Sequence, residues 1–296
     1  MRDGCFTESL PDEKFLDALG DEVFFLFSNL IYRISGIRLG IQKKGLLISR
    51  LTRRLKALGI GGFYDYYQTV RDDAVEQTEM INCISTNTTK FFRENHHFVY
   101  LGDVIIPELL RMKSADKVIR IWSAGCSTGE EPYSIAMTLQ AAFAKTGIKP
   151  EGWDIKILAT DISTRVLGTA QSGVYECGQL PDSVQAEDIR KYFLKGDKWN
   201  EGKVKVKDAV KGMIRFSRFN LKSRIYPFKK KFDVIFCRNV MIYFDEDMKR
   251  HVLSGFHYHL SDNGYVFLGH SETMFKMDQF IPVHITVYKK RAEGHW

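Results

Sequence analysis

The segment Ile119-Arg120-Ile121-Trp122-Ser123-Ala124-Gly125-Cys126-Ser127-Thr128-Gly129-Glu130-Glu131-Pro132-Tyr133-Ser134 has the order of an apolar strand, a small-residue turn, two acids and a helix. Gly125 and Gly129 let the backbone approach a ligand where a side chain would collide. The spacing departs from the G-x-G-x-x-G of a pyrophosphate binder and lacks the Gly-Lys-Ser/Thr that holds phosphate and magnesium. Glu130 and Glu131 are electrostatically suited to a helix start. They repel phosphate and attract a cation such as an amino acid ammonium or a sulfonium. S-adenosylmethionine carries both. The alternative is an ordinary helix N-terminus, with Thr128 as its cap and Glu131 closing a capping box.

Ligands of open α/β sheets lie beyond the carboxyl ends of the strands, so the residues after each strand are the next to read. Asp161 follows Ile155 to Thr160 and can accept both hydroxyls of a ribose, or else cap a helix from Ile162 onward. Asn220-Leu221 follows a strand at Ile214 to Phe216, and Cys237-Arg238-Asn239-Val240-Met241-Ile242-Tyr243-Phe244-Asp245 follows one at Asp233 to Cys237. The Asn220 and Asn239 amides suit a base edge or the methionine portion of a cofactor, and Tyr243 suits the reacting methyl. The competing roles are turn formation and core packing. Amino methyltransferases of nucleobases need Pro-Pro and an aromatic after the turn Asn or Asp; Val240-Met241 disfavours that substrate.

Asn87 to Phe98 packs polar donors, the Arg93 guanidinium and a Phe pair into a dozen residues, more than a linker requires. Adjacent His96 and His97 point in different directions on a helix and have no evident third ligand, so they read as structural or surface residues rather than a metal site.

These groups need elements to hold them. Residues 12 to about 85 read as helices: Val23, Phe24, Phe27, Leu30, Ile31 and Ile34 recur at helical spacing until Ser35-Gly36. A helix from Lys43 to Leu58 sets Leu47, Leu51, Leu55 and Leu58 in one stripe opposite Arg50, Arg53, Arg54 and Lys56. A third helix starts at Phe63, and Arg71-Asp72-Asp73 reads as the loop before a fourth. From about residue 118 strands alternate with helices, which predicts a mostly parallel sheet covered on both faces. Further strands are expected at Tyr265 to Leu268 and Ile285 to Tyr288, and a helix from near Asp245 is expected to stop at Asp262-Asn263-Gly264. Strict alternation in Lys203-Val204-Lys205-Val206-Lys207 predicts a half-exposed strand in a small antiparallel insertion.

With 296 residues, 44% hydrophobic and 27% charged, the chain reads as globular. It shows no apolar run of membrane-spanning length and no signal-peptide pattern at Met1-Arg2-Asp3-Gly4, so a cytoplasmic protein is expected, and no further domain is expected beyond Lys289-Lys290-Arg291. The cysteines, Cys5, Cys83, Cys126, Cys177 and Cys237, are scattered without a CxxC pair and read as reduced packing residues. A net charge of +7 favours an acidic partner or is simply a solvated surface.

Taken together, Asn87 to Phe98, Arg120 to Ala136, Ala159-Thr160-Asp161-Ile162, Phe232 to Asp245 and Leu268-Gly269-His270-Ser271-Glu272 closely resemble the CheR family, the chemotaxis receptor glutamate O-methyltransferases. The matching segments extend over most of the chain, and their joint order is more specific than any one of them. The resemblance implies an N-terminal all-α receptor-binding domain over residues 1–80. It also implies a Rossmann-like S-adenosylmethionine-dependent methyltransferase sheet over 81–296, with a small antiparallel β-subdomain insertion at about 174–213. It implies cofactor contacts from Asn87, Thr89, Arg93, Glu130, Asp161, Asn220, Leu221, Cys237 and Arg238; of the two adjacent acids Glu130 is chosen, although sequence leaves Glu131 open. Arg93 and Tyr243 are implied to border the reacting methyl, with S-adenosylhomocysteine as product and no metal.

The implied partners are receptor methylation helices, met by Arg50, Arg53, Arg54 and Lys56, and a receptor tail peptide at the β-subdomain; nucleic acid and membrane insertion are not expected. A glutamate, with a pKa of about 4.3, is already a carboxylate at neutral pH and needs no general base. A non-catalytic S-adenosylmethionine-binding signalling protein and a nucleic acid methyltransferase are the competing functions.

Overall fold

The computed structural model describes residues 19–180, 184, 186–272 and 278–291. The helical reading of residues 12–18, the Met1-Arg2-Asp3-Gly4 terminus and Cys5 lie outside the described residues. The chain forms two compact units, one running to Thr86 and the other from Asn87.

The first unit is all helical: α1 (Asp21–Ser35), α2 (Lys44–Leu58), α3 (Phe63–Val70) and α4 (Ala74–Ile84). The apolar run of α1 buries Phe24, Phe27, Leu30 and Ile31, and the helix ends because Gly36 turns left-handed and donates its N–H to Tyr32. In α2 the buried stripe is Leu47, Ile48, Leu51 and Leu55. Leu58, expected on that stripe, is 40% exposed. It is the last residue of the helix, before left-handed Gly59. Asp73 caps α4 by accepting from the N–H groups of Val75 and Glu76.

The second unit begins with α5 (His96–Tyr100), which runs through a π-helical turn at Leu101–Ile105 into α6 (Ile106–Met112). Then come β1 (Val118–Ala124), α7 (Glu130–Thr146), β2 (Asp154–Asp161), α8 (Thr164–Ser172) and β3 (Val174–Glu176). They are followed by α9 (Ala186–Tyr192), β4 (Phe193–Lys195), β5 (Lys203–Val206), α10 (Asp208–Lys211), β6 (Ile214–Arg218), β7 (Phe232–Cys237) and α11 (Glu246–His259). The chain finishes with β8 (Leu260–Leu268), β9 (Phe280–His284) and β10 (Val287–Lys290).

Seven strands form one sheet in the order β6-β2-β1-β7-β8-β10-β9, parallel from β6 to β8 and antiparallel at β10 and β9. Period-two alternation splits the core. Ile119 and Ile121 of β1 join Val234, Phe236 and the α7 residues Ile135 and Leu139 on one face. Trp122 and Ala124 join Ile235, Cys237 and the α11 residues Val252 and Phe256 on the other. Sheet order thus sets the carboxyl ends of β2, β1 and β7 side by side.

A second sheet, β3-β5-β4, is antiparallel; Val204 and Val206 are buried and Lys205 is exposed, as the alternation predicted. Two expectations fail. Helix α11 stops at His259 rather than at Asp262-Asn263-Gly264, because Leu260 is extended, fully buried and paired with Phe232. The strand expected at Ile285 to Tyr288 starts only at Val287. Exposed Ile285 and left-handed Thr286 make the turn of a hairpin whose first strand, β9, the periodicity did not reveal. Among the described residues no helix is long and apolar enough to cross a membrane.

Candidate active site

The glycine loop after β1 folds across the end of β2: the N–H groups of Gly125 and Cys126 both donate to the Thr160 carbonyl, at 2.8 and 2.9 Å. Gly125 has φ 84°, and a β-carbon there would collide with Val240 Cγ2, so this loop packs directly on the turn that follows β7. Ser127 is the tie point. Its N–H donates to Asp161 Oδ2 and its hydroxyl to the Asn87 carbonyl, both at 2.9 Å. Two of the residues expected to bind cofactor are therefore drawn to the same loop, and the residue that gathers them was missed because its partners are 34 and 40 positions away.

The capping-box alternative fails. The N-cap of α7 is Gly129, at φ 102°, with no side-chain cap. Thr128 instead donates its hydroxyl to Glu130 Oε2 at 2.6 Å and offers its carbonyl to the Tyr175 hydroxyl at 2.7 Å. Glu131 accepts from the Ser123 hydroxyl at 2.7 Å and pairs with Arg238 at 3.3 Å. The two adjacent acids thus differ: Glu131 is committed to a cation of the protein, whereas Glu130 is not.

Glu130 is 5% exposed and Asp161 9%. Burial holds both carboxyls above their ordinary range, opposed at Glu130 by the Thr128 hydroxyl and at Asp161 by the N–H groups of Ser163, Ser127 and Ile162. Among the described residues neither acid has an ion-pair partner. Buried negative charge without a counterion favours a ligand that brings positive charge. Nor is Asp161 a helix cap: Ser163 caps α8, and Asp161 keeps lone pairs for hydroxyl donors beyond its bonds to Ser127 and Ser163.

Arg238 turns inward. Its side chain is 2% exposed and pairs with Glu94 at 3.1 Å and Glu131 at 3.3 Å, while Nη2 donates to the Arg93 carbonyl. Burial raises the Glu94 carboxyl but the Arg238 pairing outweighs it, so Glu94 sits below its ordinary range. The Arg93 guanidinium donates to the Thr88 carbonyl at 2.8 Å, and Phe92 N–H donates to Ser134 Oγ at 2.9 Å, fastening this stretch to α7. Asn87 and Thr89 lie half-buried in the irregular stretch before it.

Cys237 is fully buried, its thiol pushed far up by burial, and acts as a packing residue. Asn220 accepts from Lys222 N–H at 3.0 Å in the turn after β6, and Leu221 is buried against the second core. Tyr243 ends a 3-10 turn over Met241–Tyr243 and is half-buried. His97 is buried, bonds Ile285 and Thr286 through Nε2, and is pushed down to about 3 by burial and by the Arg238 and His96 charges, so it is neutral. Among the described residues no group of three or more potential ligands could hold a metal.

The four basic residues expected to meet a receptor lie in the first unit and divide by role. Arg54 forms a two-point ion pair with Glu76, at 2.9 and 2.5 Å, and Glu76 also accepts from the Tyr66 hydroxyl at 2.7 Å. Arg50 donates to the Ile84 carbonyl. Both hold α2 to α4. Arg53 and Lys56 are exposed.

A family model described as the CheR methyltransferase SAM binding domain matches residues 87–289, and one described as the CheR methyltransferase all-alpha domain matches residues 22–85. A probable chemotaxis protein methyltransferase of Rhizobium etli is 38% identical over 269 residues, covering 90% of this chain and 98% of that protein. The chemotaxis protein methyltransferase of Borreliella burgdorferi is 39% identical over 88% of this chain and 91% of its own. That of Salmonella typhimurium is 40% identical over 86% of this chain and 85% of its own.

Proposed function

Because this chain belongs to the CheR methyltransferase family, we propose that it methylates glutamate side-chain carboxylates in the methylation helices of chemotaxis receptors, using S-adenosylmethionine. The observation that carries the reading is the pair of buried carboxylates, Glu130 and Asp161, standing without counterions among the described residues beyond β1 and β2 beside the glycine loop. A molecule with an ammonium and a ribose suits that pair. When bound, S-adenosylmethionine supplies a methyl carbon on a positively charged sulfur, which a carboxylate oxygen displaces as the carbon–sulfur electron pair leaves on S-adenosylhomocysteine.

The residues of the chain then have positional rather than proton-transfer roles. Glu130 holds the ammonium and Asp161 accepts the ribose hydroxyls. Asn87, Thr89, Asn220, Leu221 and the backbone at Cys237 and Arg238 line the remainder. Arg93 orients the incoming carboxylate by a charge-assisted hydrogen bond, and Tyr243 borders the methyl. Catalysis rests on alignment, because the nucleophile is ionised at neutral pH. Exposed Arg53 and Lys56 speed docking on an acidic receptor helix more than they tighten it. The β3-β5-β4 sheet is the surface for a receptor tail peptide.

The test is transfer of labelled methyl from S-adenosylmethionine to a receptor cytoplasmic fragment. Label that is released by base marks a glutamate ester. Base-stable label, or none from a folded protein, refutes the reading.

A further inference from the structure

The segment Leu268-Gly269-His270-Ser271-Glu272 carries part of the family resemblance and has no part in the site described so far. Glu272 is 4% exposed, and among the described residues its carboxylate accepts from five backbone N–H groups. Oε2 accepts from the N–H groups of Asn239 at 2.7 Å and Gly269 at 2.6 Å. Oε1 accepts from Val240 at 2.8 Å, Met241 at 2.6 Å and Ile242 at 3.3 Å. Four successive amides of the turn after β7 thus converge on one side chain brought from the end of β8. Successive N–H groups in a turn form a concave anion-binding nest, and here the anion belongs to the protein itself.

We propose that Glu272 is a positioning residue for methyl transfer, holding the Asn239 to Ile242 turn so that Tyr243 stands against the methyl donor. This rests on the reading of Tyr243 given above. Three further features support it. Asn239 adopts φ 60°, a left-handed conformation that asparagine takes more readily than other non-glycine residues and that its bond to Glu272 helps maintain. A β-carbon on Gly269 would lie 2.6 Å from Asn239 Nδ2 and 2.8 Å from both Asn239 N and Glu272 Oε2, so glycine is needed for the two segments to meet. On its other side the turn presses Val240 onto Gly125 of the cofactor loop. A shift of the turn therefore moves both Tyr243 and the wall of the loop.

The test uses the full chain and the variant Glu272→Gln, which keeps shape but turns an NH2 group toward converging donors. Calorimetry measures affinity for S-adenosylmethionine and S-adenosylhomocysteine, and kinetics with a receptor fragment gives kcat and KM. Only the methylated form carries the sulfonium that an aromatic ring would favour. The expected result is kcat at least about tenfold lower with KM for the fragment within about twofold of the parent. The affinity ratio should move at least about threefold against S-adenosylmethionine.

Tyr243→Leu should reproduce the split, and the double variant should be no worse than the weaker single one within about twofold. Gly269→Ala, which disturbs the same contact from the other side, gives an independent reading if Glu272→Gln does not fold. The proposal is overturned if the folded variants melt lower yet keep the parent kcat and affinity ratio, or if the Glu272 and Tyr243 effects multiply. Should the parent label no receptor carboxylate, the receptor reading falls while the affinity ratio still decides the role of Glu272.

Discussion

Replacing Glu130 by Gln keeps the shape of the side chain and removes one charge. The Thr128 hydroxyl, which donates to Oε2 at 2.6 Å, retains an acceptor in the amide oxygen, so the local structure survives. What is lost is the charge-assisted bond to a cationic ligand, worth about 1.5–3 kcal/mol. At about 1.4 kcal/mol per tenfold, the dissociation constant should rise between about tenfold and about a hundredfold. Stability should move the other way, because the carboxylate is buried without a counterion.

The pH dependence has a definite sign. Burial raises the Glu130 carboxyl in the folded state, so the folded chain binds the proton more tightly than the unfolded one. Parent stability therefore increases as pH falls from the folded pKa toward the lower unfolded one, and the advantage of Glu130→Gln shrinks over the same range. Calorimetric titration with S-adenosylmethionine, beside thermal melts from neutral to mildly acidic pH, reads both effects. A variant that binds as tightly as the parent, or whose melting advantage does not shrink with acid, refutes the account of Glu130 as an uncompensated ligand for positive charge.

Replacing Arg238 by Ala should instead destabilise the second unit by about 3–5 kcal/mol, seen as an earlier urea midpoint, since it leaves the buried Glu94 and Glu131 carboxylates without their shared cation. Gly125→Ala should abolish cofactor binding in titration, and adding Val240→Ala should restore part of it, because the clash is with the Val240 methyl. Arg53→Glu should slow receptor methylation at low salt and leave the melting temperature unchanged. Arg54→Ala should lower the melting temperature of the helical unit by leaving buried Glu76 unpaired.

Much of the site was legible where its physics is local. A strand running into Gly125 and Gly129 and then into paired acids describes a backbone path that few other residues could follow, and the place of Asp161 after a strand puts it at the same sheet edge, where it meets Ser127 of that loop. The periodicity of α1 and of the Lys203 to Lys207 strand was likewise readable, since burial of one face leaves its mark every three to four residues or every second one. The misreadings arose where a local pattern was ambiguous. Leu260 continues the helical stripe of α11, yet pairing with Phe232 draws it into a strand. Ile285 and Thr286 alternate like a strand and form a turn.

Residue types and spacing by themselves determined that this chain pairs a helical unit with an α/β sheet and carries an acidic glycine loop suited to a cationic methyl donor. Only the tertiary structure decided between adjacent like residues. Glu131 is paired with Arg238 and Glu130 is not; Arg54 is bound to Glu76 and Arg53 is exposed; Glu272 reaches back to a turn some thirty positions earlier. A charge acquires its role from the partner that meets it. Those partners come from distant parts of the chain, and only the packing of strands and helices brings them within hydrogen-bonding distance.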